Sequence, residues 1–187
     1  NIFAHELAKQ REIFPRPEHF FNAVKKTHRR CDGAYAVIAL ITGFGILAFR
    51  DENAIRPLSL GKRAGKTRDE YIVASEDAMF QSMDFEKVRD LEPGEAVFID
   101  KDGQLFSQQC SENPIKRPCI FEYVYFARPD SKIDEISVYK ARMRMGISLA
   151  KRIKELDFYK DIDVVIAIPD SSTTAALQLA SELKLPY

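Results

Sequence analysis

Near its C-terminal end the chain runs Asp163-Val164-Val165-Ile166-Ala167-Ile168, then Pro169-Asp170-Ser171-Ser172, then a helical pattern over 173–183. A continuous apolar run of this kind is what a parallel sheet buried on both faces requires. A short polar turn between such a strand and a helix is where α/β proteins bind anions. The first helical turn leaves backbone N–H groups unpaired, and the helix dipole adds partial positive charge there. Two hydroxyls and those amides could hold a pyrophosphate, and the Asp170 carboxylate or a serine oxygen could meet Mg²⁺. The turn is not glycine-rich, so neither a Walker loop nor a dinucleotide fingerprint is present. Asp170 or a serine capping the helix explains the same residues. On residue types alone both readings stay open.

Other chemistry-bearing residues group poorly. Cys31, Cys110 and Cys119 show no C-x-x-C spacing, which argues against a disulfide framework or a self-contained zinc site. His5, His19 and His28 all fall in the polar helical N-terminal region, without H-x-x-x-H spacing. Lys25, Lys26, Arg29 and Arg30 form a basic run that reads as the solvated face of a helix.

The elements that position these residues divide into two patterns. Helical periodicity covers 1–10 and 18–30. Short Val-, Ile- and Phe-rich runs at 34–41, 46–49, 71–74, 96–100 and 104–108 predict strands. Thr42-Gly43 and Asp102-Gly103 predict hairpin reversals, and 76–84 a short helix. This half reads as an antiparallel α+β arrangement. The proline-containing stretch 111–118 predicts a linker. Beyond it, 120–126 reads as an aromatic strand. A long helix follows over 138–156, with Met143, Ile147, Ala150 and Ile153 on its inner stripe, and then the strand–turn–helix described above. This second half reads as the opening of a doubly wound α/β domain.

Among the 187 residues, 28 Lys and Arg balance 28 Asp and Glu, with 45% hydrophobic and 30% charged residues. That neutrality argues against wrapping nucleic acid or coating an anionic membrane, and the composition is that of a folded soluble protein. The longest apolar run, 34–42, has strand length, far short of the roughly 20 residues of a membrane span. Both ends fall inside patterned segments, which predicts a piece of a longer polypeptide. A reducing, cytoplasmic setting fits the cysteine usage.

Two longer motifs are specific. Arg50-Asp51-Glu52-Asn53-Ala54-Ile55-Arg56-Pro57-Leu58, followed by Leu60-Gly61-Lys62-Arg63, resembles the R-D-P-N-G-I-R-P-L-x-L-G-x-R stretch of type II glutamine amidotransferases. Phe121-Glu122-Tyr123-Val124-Tyr125-Phe126-Ala127-Arg128-Pro129-Asp130-Ser131, with the Asp163 to Ser172 run after it, resembles the glutamine phosphoribosylpyrophosphate (PRPP) amidotransferase family. The resemblance is collinear over essentially the whole chain.

It implies residues 1–117 of an α+β N-terminal-nucleophile (Ntn) glutaminase domain, built of layered α/β/β/α sheets. Residues 118–187 would then begin an α/β type I phosphoribosyltransferase domain. The implied activity makes 5-phosphoribosylamine from PRPP and glutamine-derived ammonia, releasing glutamate and pyrophosphate, the first step of de novo purine synthesis. The alternative is a non-catalytic nucleotide-binding or regulatory relative of the same fold. The resemblance places the nucleophilic cysteine upstream and the ribose- and Mg²⁺-binding Asp-Asp loop downstream, so no catalytic residue is expected in this chain. It assigns Asp170, Ser171 and Ser172 to pyrophosphate, with Ser171 associated with Mg²⁺. Tyr125 and Arg128 would lie at the domain interface and ammonia path. Cys119 falls where iron–sulfur members carry one cluster ligand, and cluster-free members also have Cys there. PRPP, glutamine and purine nucleotide inhibitors are the implied partners, with a homo-oligomeric assembly and neither nucleic acid nor membrane. Ala54 stands where the family has Gly, which would strain the turn if that position needs a positive φ.

Overall fold

The fold, taken from a computed structural model, is described for residues 2–187. It divides into two compact units, one ending at Cys119 and the other running from Ile120 to Tyr187. Among the described residues no helix is long and apolar enough to cross a membrane.

The first unit opens with α1 (Ile2–Ala8) and α2 (Pro17–His28). Pro17 supplies the preset φ of a first helical turn, and the His19 ring nitrogen Nδ1 accepts the Arg16 N–H at 3.0 Å. Seven strands follow: β1 (Ala36–Ile41), β2 (Gly45–Arg50), β3 (Ser59–Ala64), β4 (Asp69–Ala74), β5 (Glu86–Asp90), β6 (Glu95–Asp100) and β7 (Leu105–Gln109). They form two antiparallel sheets, ordered β1-β2-β6-β7 and β4-β3-β5.

Side-chain alternation sets the layering. Leu47 and Phe49 of β2, with Ala96 and Phe98 of β6, pack against Phe20, Phe21 and Val24 of α2. The intervening Ala48 and Val97 face the other way and join Leu58, Leu60 and Leu91 in a second core between the sheets. The layers therefore run helix pair, four-stranded sheet, three-stranded sheet. Both expected reversals are present, with Gly43 at φ 82° and Gly103 at φ 78°. β3 and β5, which sequence pattern missed, read Ser-Leu-Gly-Lys-Arg-Ala and Glu-Lys-Val-Arg-Asp, too charged to show strand alternation. The helix expected over 76–84 is only a 3₁₀ turn, Gln81–Met83, stopped by Asp84 at φ 58°.

In the second unit Glu122–Phe126 is a π-helix, not the expected strand. A two-stranded ribbon follows, β8 (Lys132–Ile133) against β9 (Ile136–Ser137). Then come α3 (Val138–Lys154), a 3₁₀ turn (Asp157–Asp161) and α4 (Thr173–Leu183). Ser137 caps α3 by accepting the Lys140 N–H at 3.4 Å. The buried column of α3 is Val138, Arg142, Gly146 and Ala150; of the stripe expected at 143, 147, 150 and 153, Ala150 is buried with Ile153 packed against its cluster, while Met143 and Ile147 are half-buried. Gly146 explains why the column runs beside Ile147. A Cβ there would lie 2.4 Å from the Ala175 carbonyl oxygen and 3.2 Å from the Leu179 nitrogen, so α4 rests directly on the α3 backbone.

The run 164–168 departs from the buried strand expected of it. Val165 is buried, whereas Ile166 and Ile168 are 79% and 82% exposed. The Val165 N–H donates to the Pro186 carbonyl at 3.0 Å. One such bond starts a parallel pairing, but a ladder needs several, so no strand is formed over 164–168 among the described residues.

Candidate functional site

The turn 169–172 carries the strongest chemistry in the second unit. The Pro169–Asp170 peptide is cis. Asp170 is exposed, and Ser171 and Ser172 are half-buried. The capping explanation for these residues does not hold here, since no side chain caps α4. The Ser172 hydroxyl instead donates back to the Ile168 carbonyl. The Thr173 N–H is taken by the Asp170 carbonyl at 3.2 Å, and the Ala176 N–H by the Ser172 carbonyl at 2.8 Å. A helix start with two hydroxyls beside it and no carboxylate folded over it favours an anion.

For Mg²⁺ the donor chemistry fits. Asp170 offers an exposed carboxylate and Ser171 a hydroxyl, both hard oxygens. Mg²⁺ commonly takes one or two protein oxygens with the rest from phosphate and water. When bound, the ion would offset the charge of an anion held at the turn. Among the described residues no group of three or more His, Cys, Asp or Glu could hold a metal by itself. Cys119 is a half-buried free thiol, one soft ligand without companions among those residues.

Tyr125 and Arg128 occupy another part of the unit, the π-helix and the turn after it. Tyr125 is 59% exposed and touches two neighbouring rings, Phe121 and Phe126, at 5.6 and 5.5 Å between centroids. Arg128 makes a two-pronged bond to Asp130, Nε to Oδ1 and Nη2 to Oδ2, both 3.0 Å. The inner side of the same turn is buried, through Glu122, Tyr123 and Ala127.

In the first unit, the long motif beginning at Arg50 builds a scaffold. Asp51 is fully buried. Its Oδ1 accepts the Asn53 and Ile55 N–H groups at 3.0 Å, and its Oδ2 accepts those of Arg56 at 3.0 Å and Tyr35 at 3.3 Å. The buried Arg50 guanidinium donates to the carbonyls of Ala54, Arg56 and Leu91 at 2.6–2.9 Å. Together they fix the turn 51–56 from both sides. Ala54 adopts φ 50°, the left-handed conformation that its replacement of Gly called into question.

That turn also fastens the segment expected to be a linker. Ser111 Oγ donates to Glu52 Oε1 at 2.6 Å, and the Ile115 and Arg117 N–H groups donate to the Glu52 and Asn53 carbonyls at 3.1 and 2.7 Å. Residues 111–117 are thus a strap held to the first unit. Proline-rich extended backbone leaves its remaining N–H groups available for this kind of attachment.

His28 and Cys110 serve the fold. Buried His28 places Nδ1 2.7 Å from the Tyr35 hydroxyl and Nε2 3.2 Å from the Gly94 carbonyl. The carbonyl can only accept, so Nε2 carries the proton and Nδ1 accepts from Tyr35. Burial lowers the His28 pKa, opposed by Glu52, the Gly94 carbonyl and Asp51. Burial likewise raises that of Tyr35. The Cys110 thiol is pushed up to about 12 by burial, which makes it an inert core group. In the basic run, Arg30 pairs with Glu6 and Arg29 with Glu112.

No protein-family model matches the chain. Its whole length aligns with amidophosphoribosyltransferases: 52% identity over 187 residues with that of Pseudomonas aeruginosa, 50% over 188 with that of Escherichia coli, and 46% over 192 with that of Saccharomyces cerevisiae. The chain spans 37–38% of the length of these relatives. Among solved structures, glutamine PRPP amidotransferase from Bacillus subtilis, complexed with ADP and GMP, superposes with a TM-score of 0.74 at 32% identity, covering 99% of this chain and 42% of that one. A structure described as the allosteric regulatory enzyme of purine biosynthesis gives 0.78 at 34%, covering 99% and 36%.

Proposed function

Because the chain belongs to the amidophosphoribosyltransferase family, we propose that it serves the synthesis of 5-phosphoribosylamine from PRPP and glutamine-derived ammonia, with release of glutamate and pyrophosphate. In this reading residues 1–117 are the later part of the glutaminase domain and 118–187 the first part of the phosphoribosyltransferase domain. Asp170, Ser171 and Ser172 receive the pyrophosphate of PRPP, with the Ser171 hydroxyl toward Mg²⁺. Ser172 acts through its backbone, since its hydroxyl already serves the Ile168 carbonyl. Tyr125 and Arg128 lie along the route by which ammonia reaches PRPP. Purine nucleotides act as inhibitors of the homo-oligomeric enzyme in the cytoplasm.

One observation carries the reading, the first turn of α4, which no side chain caps and beside which Asp170 and Ser171 stand. The test is steady-state kinetics of the full polypeptide carrying this chain, with Ser171→Ala and Asp170→Asn. The KM for PRPP should rise about tenfold or more, as expected for loss of a charge-assisted contact of about 1.5–3 kcal/mol. Thermal stability should hold. An unchanged KM in both variants would contradict the assignment.

A further inference from the structure

Within the π-helix Glu122–Phe126, the Ala127 N–H donates to the Glu122 carbonyl at 2.8 Å, five residues back. An α-turn would have given that N–H to Tyr123. The Tyr123 carbonyl therefore loses the donor that α geometry would supply. The buried Arg142 side chain of α3 takes over, with Nε on the Tyr123 carbonyl and Nη2 on the Ala127 carbonyl, each at 2.8 Å. Arg142 is 3% exposed, and the segment it grips is buried on the gripped side and open on the other, where Phe121, Tyr125 and Phe126 stand in mutual ring contact.

The register of this turn decides where those rings point. A π-turn holds one residue more than an α-turn, so a change to α winding would rotate the residues after it by about 100°. A planar fork with fixed donor directions can bridge two carbonyls four residues apart, whereas a lysine ammonium on its flexible stem cannot hold both.

We propose that Arg142 is a positioning residue, holding residues 122–127 in the π register and so fixing the direction of Tyr125 and Arg128. The inference rests on the reading of Tyr125 and Arg128 as part of the ammonia route. Arg142 grips the Tyr123 and Ala127 carbonyls and acts through the segment it holds.

The experiment compares glutamine-dependent with ammonia-dependent phosphoribosylamine formation in the full polypeptide, for wild type, Arg142→Met, Arg142→Lys and Tyr125→Ala. Amide exchange of Ala127 is read in parallel. Arg142→Met should lower the glutamine-dependent rate about tenfold, the scale of a small misplacement of a working group, while the ammonia-dependent rate stays within about twofold. Arg142→Lys should restore part of the ratio, and Ala127 should lose exchange protection in both variants, because its N–H is bonded to neither the Glu122 nor the Tyr123 carbonyl each time the loosened turn passes between π and α winding. A parallel fall of both rates, or an unchanged ratio with unchanged Ala127 protection, overturns the proposal. If Arg142→Met fails to fold, Arg142→Lys carries the same comparison, since it keeps the buried cation. A wild type making no phosphoribosylamine from either nitrogen source would sink the functional reading instead. An unchanged ratio in Tyr125→Ala would remove only the route assignment. In both cases the Ala127 exchange still decides whether Arg142 holds the turn against passing out of the π register.

Discussion

Asp51 concentrates four backbone N–H bonds on one buried carboxylate, two on each oxygen. An asparagine has one acceptor oxygen and turns an NH₂ group toward two of those donors. Asp51→Asn is therefore expected to cost about 3 kcal/mol or more, no less than Asp51→Ala, because each facing donor left unpaired costs roughly 1–3 kcal/mol. Chemical denaturation of the two variants checks this, and a mild Asp51→Asn would contradict it. Ala54, three residues on, poses a closer question of magnitudes. Its φ of 50° costs about 1 kcal/mol in a residue with a Cβ. Its methyl, however, is fully buried, and removing one buried carbon group forfeits about 0.8 kcal/mol. Ala54→Gly should then change stability by less than about 0.5 kcal/mol, despite the family preference for Gly. Ala54→Val, a branched side chain in a left-handed conformation inside a packed core, should cost about 2 kcal/mol or more. Denaturant midpoints of the pair measure both.

At the scale of elements, the contact of α3 with α4 links packing to the proposed site. Gly146 faces the Ala175 carbonyl, in the first turn of α4, just after Asp170 to Ser172. A methyl at 146 would meet the Ala175 carbonyl at 2.4 Å, with Gln178 Cβ and the Leu179 nitrogen just beyond, so the helices must part. Gly146→Ala should cost about 1–3 kcal/mol of stability and raise the PRPP KM, although residue 146 touches no ligand. Thermal melts and PRPP titrations check it, and an unchanged KM with lowered stability would confine the effect to folding. The same contact shows why helix α3 and its core-facing Ala150 and Ile153 were legible in the sequence but the rest of its buried column was not. The four-spaced column includes an arginine and a glycine, neither of which reads as core. Helix α4 and the two glycine hairpins were legible because their signals are local. The π-helix read as a strand because its outward aromatics and inward Tyr123 leave no helical apolar stripe, and its register depends on Arg142, sixteen residues beyond its end. Residues 111–117 read as a linker because the carbonyls that hold them lie in the turn 52–53, distant in sequence. At the proposed site, the residue types at 170–172 were legible, but the diversion of the Ser172 hydroxyl to Ile168 was a matter of conformation.

At the scale of the whole molecule, acid should act unevenly. His28 is buried and neutral in the first unit, with its pKa below the ordinary 6.5. A histidine depressed by folding contributes stability above its unfolded pKa, and that contribution is lost as pH falls from about 6.5 through the lower folded value. Glu95, also in the first unit, is raised by burial, but Arg89, Ser107 and the Glu92 N–H outweigh that and bring it below its ordinary 4.5. Two bonds from Arg89 at 2.5 and 2.6 Å hold it. Its contribution is complete above 4.5 and fades only as pH drops through the lower folded value. The first unit should therefore lose stability in two stages, His28 first and Glu95 after it. In the second unit, Asp130 also has a pKa held below its ordinary value, chiefly by Arg128, but that pair is more than half exposed and contributes little. Amide exchange at pH 7.5 and 5.5, corrected for intrinsic rates, should show weakened protection in β1, β2 and β6 and unchanged protection in α3 and α4. His28→Gln, which can still donate to Gly94 and accept from Tyr35, should remove the first stage and leave the second. Equal losses in both units at pH 5.5 would show that His28 does not govern the acid response.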